Sequence, residues 1–165
     1  MALVDALLPE FDHEMSKTRT VLERVPEEKF EWRPHAKSFS LGALATHVAT
    51  LPMWGTETLT RSEIDVGSQP PLTALPSRTD LLAAFDTNVA ASRAALSGKT
   101  DAELMSMWSL KRHGKTIFSM PKATVLRSFV LSHVIHHRAQ LTVYLRLLDV
   151  PVPAIYGPSA DEPAF

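Results

Sequence analysis

The stretch Ser132–Gln140 holds three histidines within an apolar-periodic segment, residues 123–148, that contains no proline or glycine. On a helix, His133 and His137 lie about 40° apart and therefore share one face. Apolar residues fall on or beside that face, so both rings should point inward: Val125, Leu126, Phe129, Val130, Leu141, Tyr144 and Leu148. Burying an unpaired ring costs on the order of 1–3 kcal/mol, and a divalent metal satisfies both rings at once. The spacing predicts two metal ligands, as in zincin helices, although Val134 stands where that motif has its Glu.

A third inward histidine is predicted from an earlier helix. This helix should begin near Ser38 or Ser40 and continue to about Leu59, with a kink or break at Pro52. His47 shares a face of it with Ala43, Leu44, Leu51 and Trp54. By itself such a residue is more often a core histidine bonded to a neighbour, but beside the first pair it becomes a candidate ligand. A metal-free cluster of bonded core histidines stays an alternative, and His13 and His35 are expected at the surface.

The remaining elements must bring these helices together. Helical periodicity predicts a first helix over Ala2–Val25 and a third that Ser77 caps and that ends near Leu96. Between them, residues 65–76 are rich in Gly, Ser and Pro and indicate a long crossover. Residues 104–120 alternate around a Gly-containing turn and predict a small hairpin, after which Pro121 suits the first turn of the last helix. The predicted fold is all-α: a four-helix bundle with a long crossover and a small β-hairpin before the last helix.

Composition excludes several classes of protein. At 165 residues, the expectation is a single domain spanning 1–165. A net charge of −1 gives no basic footprint, so no nucleic-acid partner is expected. The sequence lacks an apolar run of 18 residues, and Met1–Asp5 lacks a basic region, so we expect no membrane partner and a cytoplasmic location. Because cysteine is absent, a metal would have to bind histidine or carboxylate groups.

Two stretches resemble the DinB/YfiT-like family of metal-dependent proteins. The segment Leu44–Val48 carries His47, and the segment His133–Leu141 is similar to the family's H-x-x-H-H-R-x-Q pattern. The closing residues 150–157 also resemble the family's ending. The resemblance implies a single DinB-like domain, often a homodimer, with a three-histidine site that binds zinc or nickel and keeps water in the open position.

Carried over by position, the metal ligands would be His47, His133 and His137. Gln140 lies about 20° from His133 around the helix and could contact water or substrate. His136 would lie beside the site or at the surface. Arg138 points about 140° away from His133 and would bond a carboxylate on a neighbouring helix or across a dimer.

Three imidazoles leave a metal with an exchangeable position, which is typical of catalytic sites. The expected ion is Zn or Ni, both of which imidazole suits, with Fe or Mn as alternatives. The resemblance also implies an activity: several characterised members of the family use low-molecular-weight thiols, in bacillithiol transfer or in maleylpyruvate isomerisation with mycothiol, and others have been called hydrolases. The predicted function is therefore metal-dependent transfer of a small thiol to a small-molecule substrate. The alternatives are a metal-dependent hydrolase, for which Glu57 is the nearest candidate base, and a non-catalytic binder of metal or a small ligand.

Overall fold

The computed structural model describes residues 2–67 and 73–163. The described chain is predominantly helical and carries a small three-stranded sheet. Its helices are α1 (Leu3–Leu22), α2 (Leu41–Thr50), α3 (Met53–Thr60), α4 (Arg78–Leu96), α5 (Asp101–Met105), α6 (Lys122–Val125) and α7 (Ser132–Leu147). Its strands are β1 (Glu63–Asp65), β2 (Met107–Arg112) and β3 (Lys115–Pro121), and one short 3-10 turn spans Glu27–Lys29.

The predicted first and third helices are confirmed as α1 and α4. The buried stripe of α1 includes Leu7, Phe11 and Met15 at four-residue spacing, as the periodicity required. Ser77 caps α4 by accepting a hydrogen bond from the Asp80 backbone N–H at 3.0 Å. A polar cap of this kind supplies a partner to a backbone donor that has none within the helix.

The predicted break at Pro52 divides the second helical region into α2 and α3. Ser40 caps α2 through the Ala43 backbone N–H at 3.3 Å. Leu51 and Pro52 form the turn between the two helices, because proline cannot donate the hydrogen bond that would continue α2. His47 therefore lies in the last turn of a short helix whose other residues are mostly buried.

The last helical region was predicted as one helix over residues 123–148, and here the structure differs. A π-helical segment, Leu126–Leu131, joins α6 to α7. At its end, the backbone N–H of Ser132 bonds to the Arg127 carbonyl, and the Ser132 hydroxyl donates to the same oxygen at 2.9 Å. This five-residue spacing widens the turn that leads into the helix carrying His133 and His137. Pro121, predicted for the first helical turn, instead ends β3 and precedes α6.

The sheet has one strand more than the predicted hairpin. The predicted hairpin is confirmed as β2 paired antiparallel with β3, although Leu104 and Met105 belong to α5. The sequence did not predict β1, which pairs parallel to β2 with Ile64 opposite Leu110. A three-residue strand with one buried residue is too short for a detectable alternation. Of the predicted crossover over 65–76, Asp65 belongs to β1 and residues 68–72 lie outside the described part.

Buried side chains form two clusters. The larger draws on α1, α2, α4 and α7, and includes Phe11, Leu44, Phe85 and Leu141. The smaller lies between the sheet and the last helical region: Ile64, Trp108, Leu110 and Val125. None of the helices within 2–67 and 73–163 combines the length and the apolar character needed to cross a membrane.

Candidate metal centre

The structure brings together the three histidines that the sequence proposed as ligands. His47 comes from α2, whereas His133 and His137 come from successive turns of α7. One potential ligand atom from each of the three lies within 4.8 Å of the others. The ring centroids are 5.1 Å apart for His47 and His133, 4.5 Å for His47 and His137, and 4.8 Å for the pair on α7.

The spacing of the facing nitrogens fits a shared metal ion. The Nε2 atoms of His47 and His133 lie 3.3 Å apart. Two imidazole nitrogens bound tetrahedrally at 2.0–2.1 Å to one zinc ion would be separated by about 3.3 Å, so the observed spacing matches. A hydrogen bond between the two rings is the metal-free alternative, and it requires that one Nε2 carry a proton.

A neighbouring side chain contacts the ring of His137. The side-chain oxygen of Gln140 lies 2.8 Å from Nδ1 of His137. If Nδ1 donates to this oxygen, Nε2 keeps its lone pair for a metal, which is the usual role of a second group behind a ligand. Gln140 thus has a protein partner in His137, and its contact with water or substrate stays a prediction.

The local environment keeps the three rings neutral. Burial, followed by repulsion from His137 and His133, lowers the pKa of His47 from 6.5 to about 4. Burial is also the largest cause that lowers the pKa of His133 and that of His137. Only the neutral imidazole can bind a metal ion. At neutral pH the three rings are therefore already in the form that could bind one, and no proton would have to leave them.

Aromatic side chains flank the three histidines. The ring centroid of Phe129 lies 5.7 Å from that of His133, and the Phe39 centroid lies 6.1 Å from that of His47. The ring of Trp54 packs in turn against that of Phe129, with the centroids 5.5 Å apart. His136 is exposed and its ring lies 4.8 Å from that of His137, outside the three-histidine group, as the helical angles indicated.

No carboxylate within the described residues belongs to the three-histidine group. Glu57 lines a different cavity of about 340 Å³, beside Met53 and Trp54, and its Oε2 lies 2.7 Å from Nε of Arg61. A larger cavity of about 600 Å³ lies between residues 27–31 and 74–76 and contains none of the three histidines. The candidate site is therefore defined by donor geometry and coincides with neither of these two cavities.

Arg138 has the carboxylate partner that its position on α7 predicted. Its guanidinium is 2% exposed and lies 2.8 Å from Oε2 of Glu14, on α1. The Tyr156 hydroxyl donates to the same carboxylate oxygen at 2.7 Å. The sequence did not indicate Tyr156, because nothing local connects a C-terminal turn to the first helix. Glu14 could have been found from the sequence, because it lies between Phe11 and Thr18 on the buried stripe of α1, where a carboxylate needs a partner.

The molecule is thus a mainly helical protein with a three-histidine site between two of its helical segments. The model of the DinB family matches residues 2–164. The chain therefore belongs to the DinB family, and the resemblance inferred from two short motifs is confirmed over nearly its whole length.

Individual relatives agree with this assignment. The uncharacterized protein YrdA of Bacillus subtilis (strain 168) is 28% identical over 163 residues, which cover 96% of this chain and 91% of the relative. The crystal structure of a DinB-like protein from Bacillus cereus matches with a TM-score of 0.71 and 23% identity, over 92% of this chain and 97% of that one. The DinB-like protein YjoA of Bacillus subtilis matches with a TM-score of 0.67 and 19% identity, over 88% and 95% of the two chains. These structural likenesses concern the fold.

Proposed function

We propose that this protein binds a divalent metal ion through His47, His133 and His137 and uses it to transfer a low-molecular-weight thiol to a small electrophilic substrate. The observation that carries the metal assignment is the 3.3 Å separation of facing Nε2 atoms from two different helices. Zinc and nickel are the favoured ions, since imidazole suits both, and iron and manganese are the alternatives.

The residues of the site determine which chemistry it favours. When bound, the metal would supply an exchangeable Lewis-acid position at which a thiol is held in its deprotonated form. The three neutral imidazoles bring no negative charge, so an anionic thiolate is not repelled by its neighbours. Gln140 keeps His137 in one orientation, and Phe129 and Phe39 pack near the His133 and His47 rings. Since the chain contains no cysteine, the thiol must come from a cosubstrate.

Two alternatives remain open to test. A metal-dependent hydrolase would need a group that accepts a proton near the metal, and the described three-histidine group contains no carboxylate. Glu57 is engaged with Arg61 instead. A non-catalytic binder of metal or a small ligand would have the same metal content and no turnover. The thiol transferase is favoured because it needs no protein carboxylate as base.

The family assignment supports two further proposals. We propose that α1, the α2–α3 pair, α4 and α7 form a four-helix bundle, because all of them contribute to the larger buried cluster. We also propose that the protein is a single DinB-like domain that forms a homodimer, which size-exclusion chromatography with light scattering would test.

Elemental analysis of protein purified without a histidine tag tests the metal site. The parent should carry about one metal ion per chain, and His133→Ala and His137→Ala should each abolish stoichiometric binding while the helical circular dichroism persists. His136→Ala is the matched control, because this ring is exposed on the same helix; His13→Ala and His35→Ala are distant controls. Equal metal content in the parent and the two ligand variants would refute the site, and loss of metal in a control would mean that the ligand set is wrong.

Activity assays then separate the functions. The metal-loaded protein is incubated with glutathione, mycothiol or bacillithiol and an electrophile such as monochlorobimane or an epoxide. The proposal expects thiol-dependent product that disappears in His133→Ala. Turnover of ester substrates without a thiol would favour the hydrolase, and metal loading without turnover in either assay would favour the binder.

A further inference from the structure

A network of buried polar groups lies on α7 away from the histidines. The Arg138 guanidinium donates to the Glu14 backbone carbonyl at 3.1 Å and to the Thr18 hydroxyl at 3.2 Å, in addition to its ion pair with the Glu14 carboxylate. It also donates to the Tyr156 hydroxyl, and that hydroxyl donates to Glu14. One side chain of α7 is thus bonded to α1 at three points and to the C-terminal segment at a fourth.

Stability alone does not account for a buried ion pair. Removing two charges from water carries a large desolvation cost, and well-packed apolar side chains of similar volume often stabilise a protein equally well or better. What apolar contacts lack is direction, whereas a guanidinium that forms several hydrogen bonds fixes both distance and angle. A buried network of this kind therefore contributes geometry that an apolar core would not.

The rotation of α7 about its own axis must be fixed if His133 and His137 are to face His47. Apart from Arg138, the fully buried residues of this helix form a narrow stripe: Val134, Leu141 and Leu145. The π-helical turn before α7 changes the angular phase between the segments on either side of it, so regular α-helical geometry continued from α6 does not predict the rotation of α7. A turn of 10° about the axis would move an imidazole nitrogen by about 1 Å, since the nitrogen lies roughly 6 Å from the axis. Metal–ligand distances tolerate about 0.2 Å.

We infer that Arg138 is a positioning residue: through Glu14, it fixes the rotation of α7 and so holds His133 and His137 opposite His47. Tyr156 extends this restraint to the C-terminal segment. The consequence for metal affinity depends on the proposed metal site, whereas the consequence for the arrangement of the rings does not.

A paired substitution separates positioning from stability. Arg138→Met alone should destabilise the fold, because it leaves Glu14 buried without its partner. The double variant Glu14→Leu with Arg138→Met removes both charges and should recover the stability of the parent in denaturant unfolding. Its zinc affinity, measured by competition with a chromophoric chelator, should nevertheless fall at least 10-fold, in the range of about 10–100-fold typical of groups behind metal ligands. In the metal-free protein, nuclear Overhauser contacts between the ring protons of His47 and His133 should weaken.

The matched control removes an exposed ion pair between α1 and another helix. Arg93 on α4 pairs with Asp12 at 2.8 Å, and Asp12→Asn with Arg93→Gln should leave both zinc affinity and ring contacts unchanged. Arg138→Lys is the second test variant, because it keeps the charge and loses the planar fork; we expect a fold like the parent and weaker zinc binding.

The outcomes are distinguishable. Parent-like zinc affinity and ring contacts in the double variant, or in Arg138→Lys if the double variant does not fold, would overturn the inference. If the parent binds no zinc, the proposed function fails; weakened ring contacts in the double variant would then still support positioning, and unchanged contacts would refute it.

Discussion

The acid sensitivity of the metal-free protein tests whether the three imidazoles are clustered in solution. The folded state holds the pKa of His47 at about 4, compared with 6.5 without the fold. Between these values the unfolded chain binds more protons than the folded one, so the free energy of unfolding decreases as the pH falls from about 6.5 toward 4. The lowered pKa values of His133 and His137 act in the same direction.

The magnitude follows from the size of the shift. A change from 6.5 to about 4 corresponds to at most about 3 kcal/mol. The half-buried ring is still partly screened by solvent, which reduces the expected contribution to on the order of 1–2 kcal/mol. For a protein of this size, 1 kcal/mol shifts the Tm by roughly 2–4 °C. Between pH 7.5 and 4.5, the parent should therefore lose roughly 2–8 °C more than His47→Asn, in which the ring cannot titrate.

The assay is thermal unfolding of metal-free protein at a series of pH values, followed by circular dichroism. Groups that titrate identically in both proteins cancel in the difference between parent and variant. His35→Asn is the control, because His35 is exposed in a loop and its ring nitrogen accepts from the Lys37 backbone N–H, a bond that asparagine can replace. If the Tm of the parent and that of His47→Asn change equally with pH, the reasoning is refuted, because His47 is then not desolvated beside two other imidazoles.

Three further substitutions test other parts of the molecule. Gln140→Ala should lower metal affinity by about 10–100-fold in a chelator competition, because His137 loses the partner of its Nδ1 atom; an unchanged affinity would argue against that role. Glu14→Ala should lower the free energy of unfolding by about 3–5 kcal/mol in urea, since Arg138 would stay buried without its counter-charge, and a loss below 1 kcal/mol would contradict this. Thr58→Val should raise the free energy of unfolding by about 1 kcal/mol, because the buried Thr58 hydroxyl has no hydrogen-bond partner among the described residues; a destabilised variant would show that the hydroxyl does have one.

Features of the fold that depend on residues adjacent in the sequence were predictable from the sequence. The Ser77 cap, the break at Pro52 and the turn at Gly114 were identified because each residue type acts on its own backbone. The sequence did not predict β1 or the π-helical segment, because both depend on contacts with parts of the chain that are distant in sequence. A three-residue strand forms because β2 lies beside it, and the wider turn before α7 depends on how that helix packs.

The same division applies to the candidate site. The sequence by itself determined that His133 and His137 share a face, because their four-residue spacing fixes the angle between them on any regular helix. The DinB family was likewise recognisable from residues 44–48 and 133–141. Only the tertiary structure decided that His47 meets this pair with its Nε2 3.3 Å from that of His133, and that Arg138 finds Glu14 and Tyr156. These contacts join residues 86 to 142 positions apart in the chain, or 18 in the case of Tyr156 and Arg138. Helical periodicity specifies which way a side chain faces, whereas the packing of whole helices specifies what it faces.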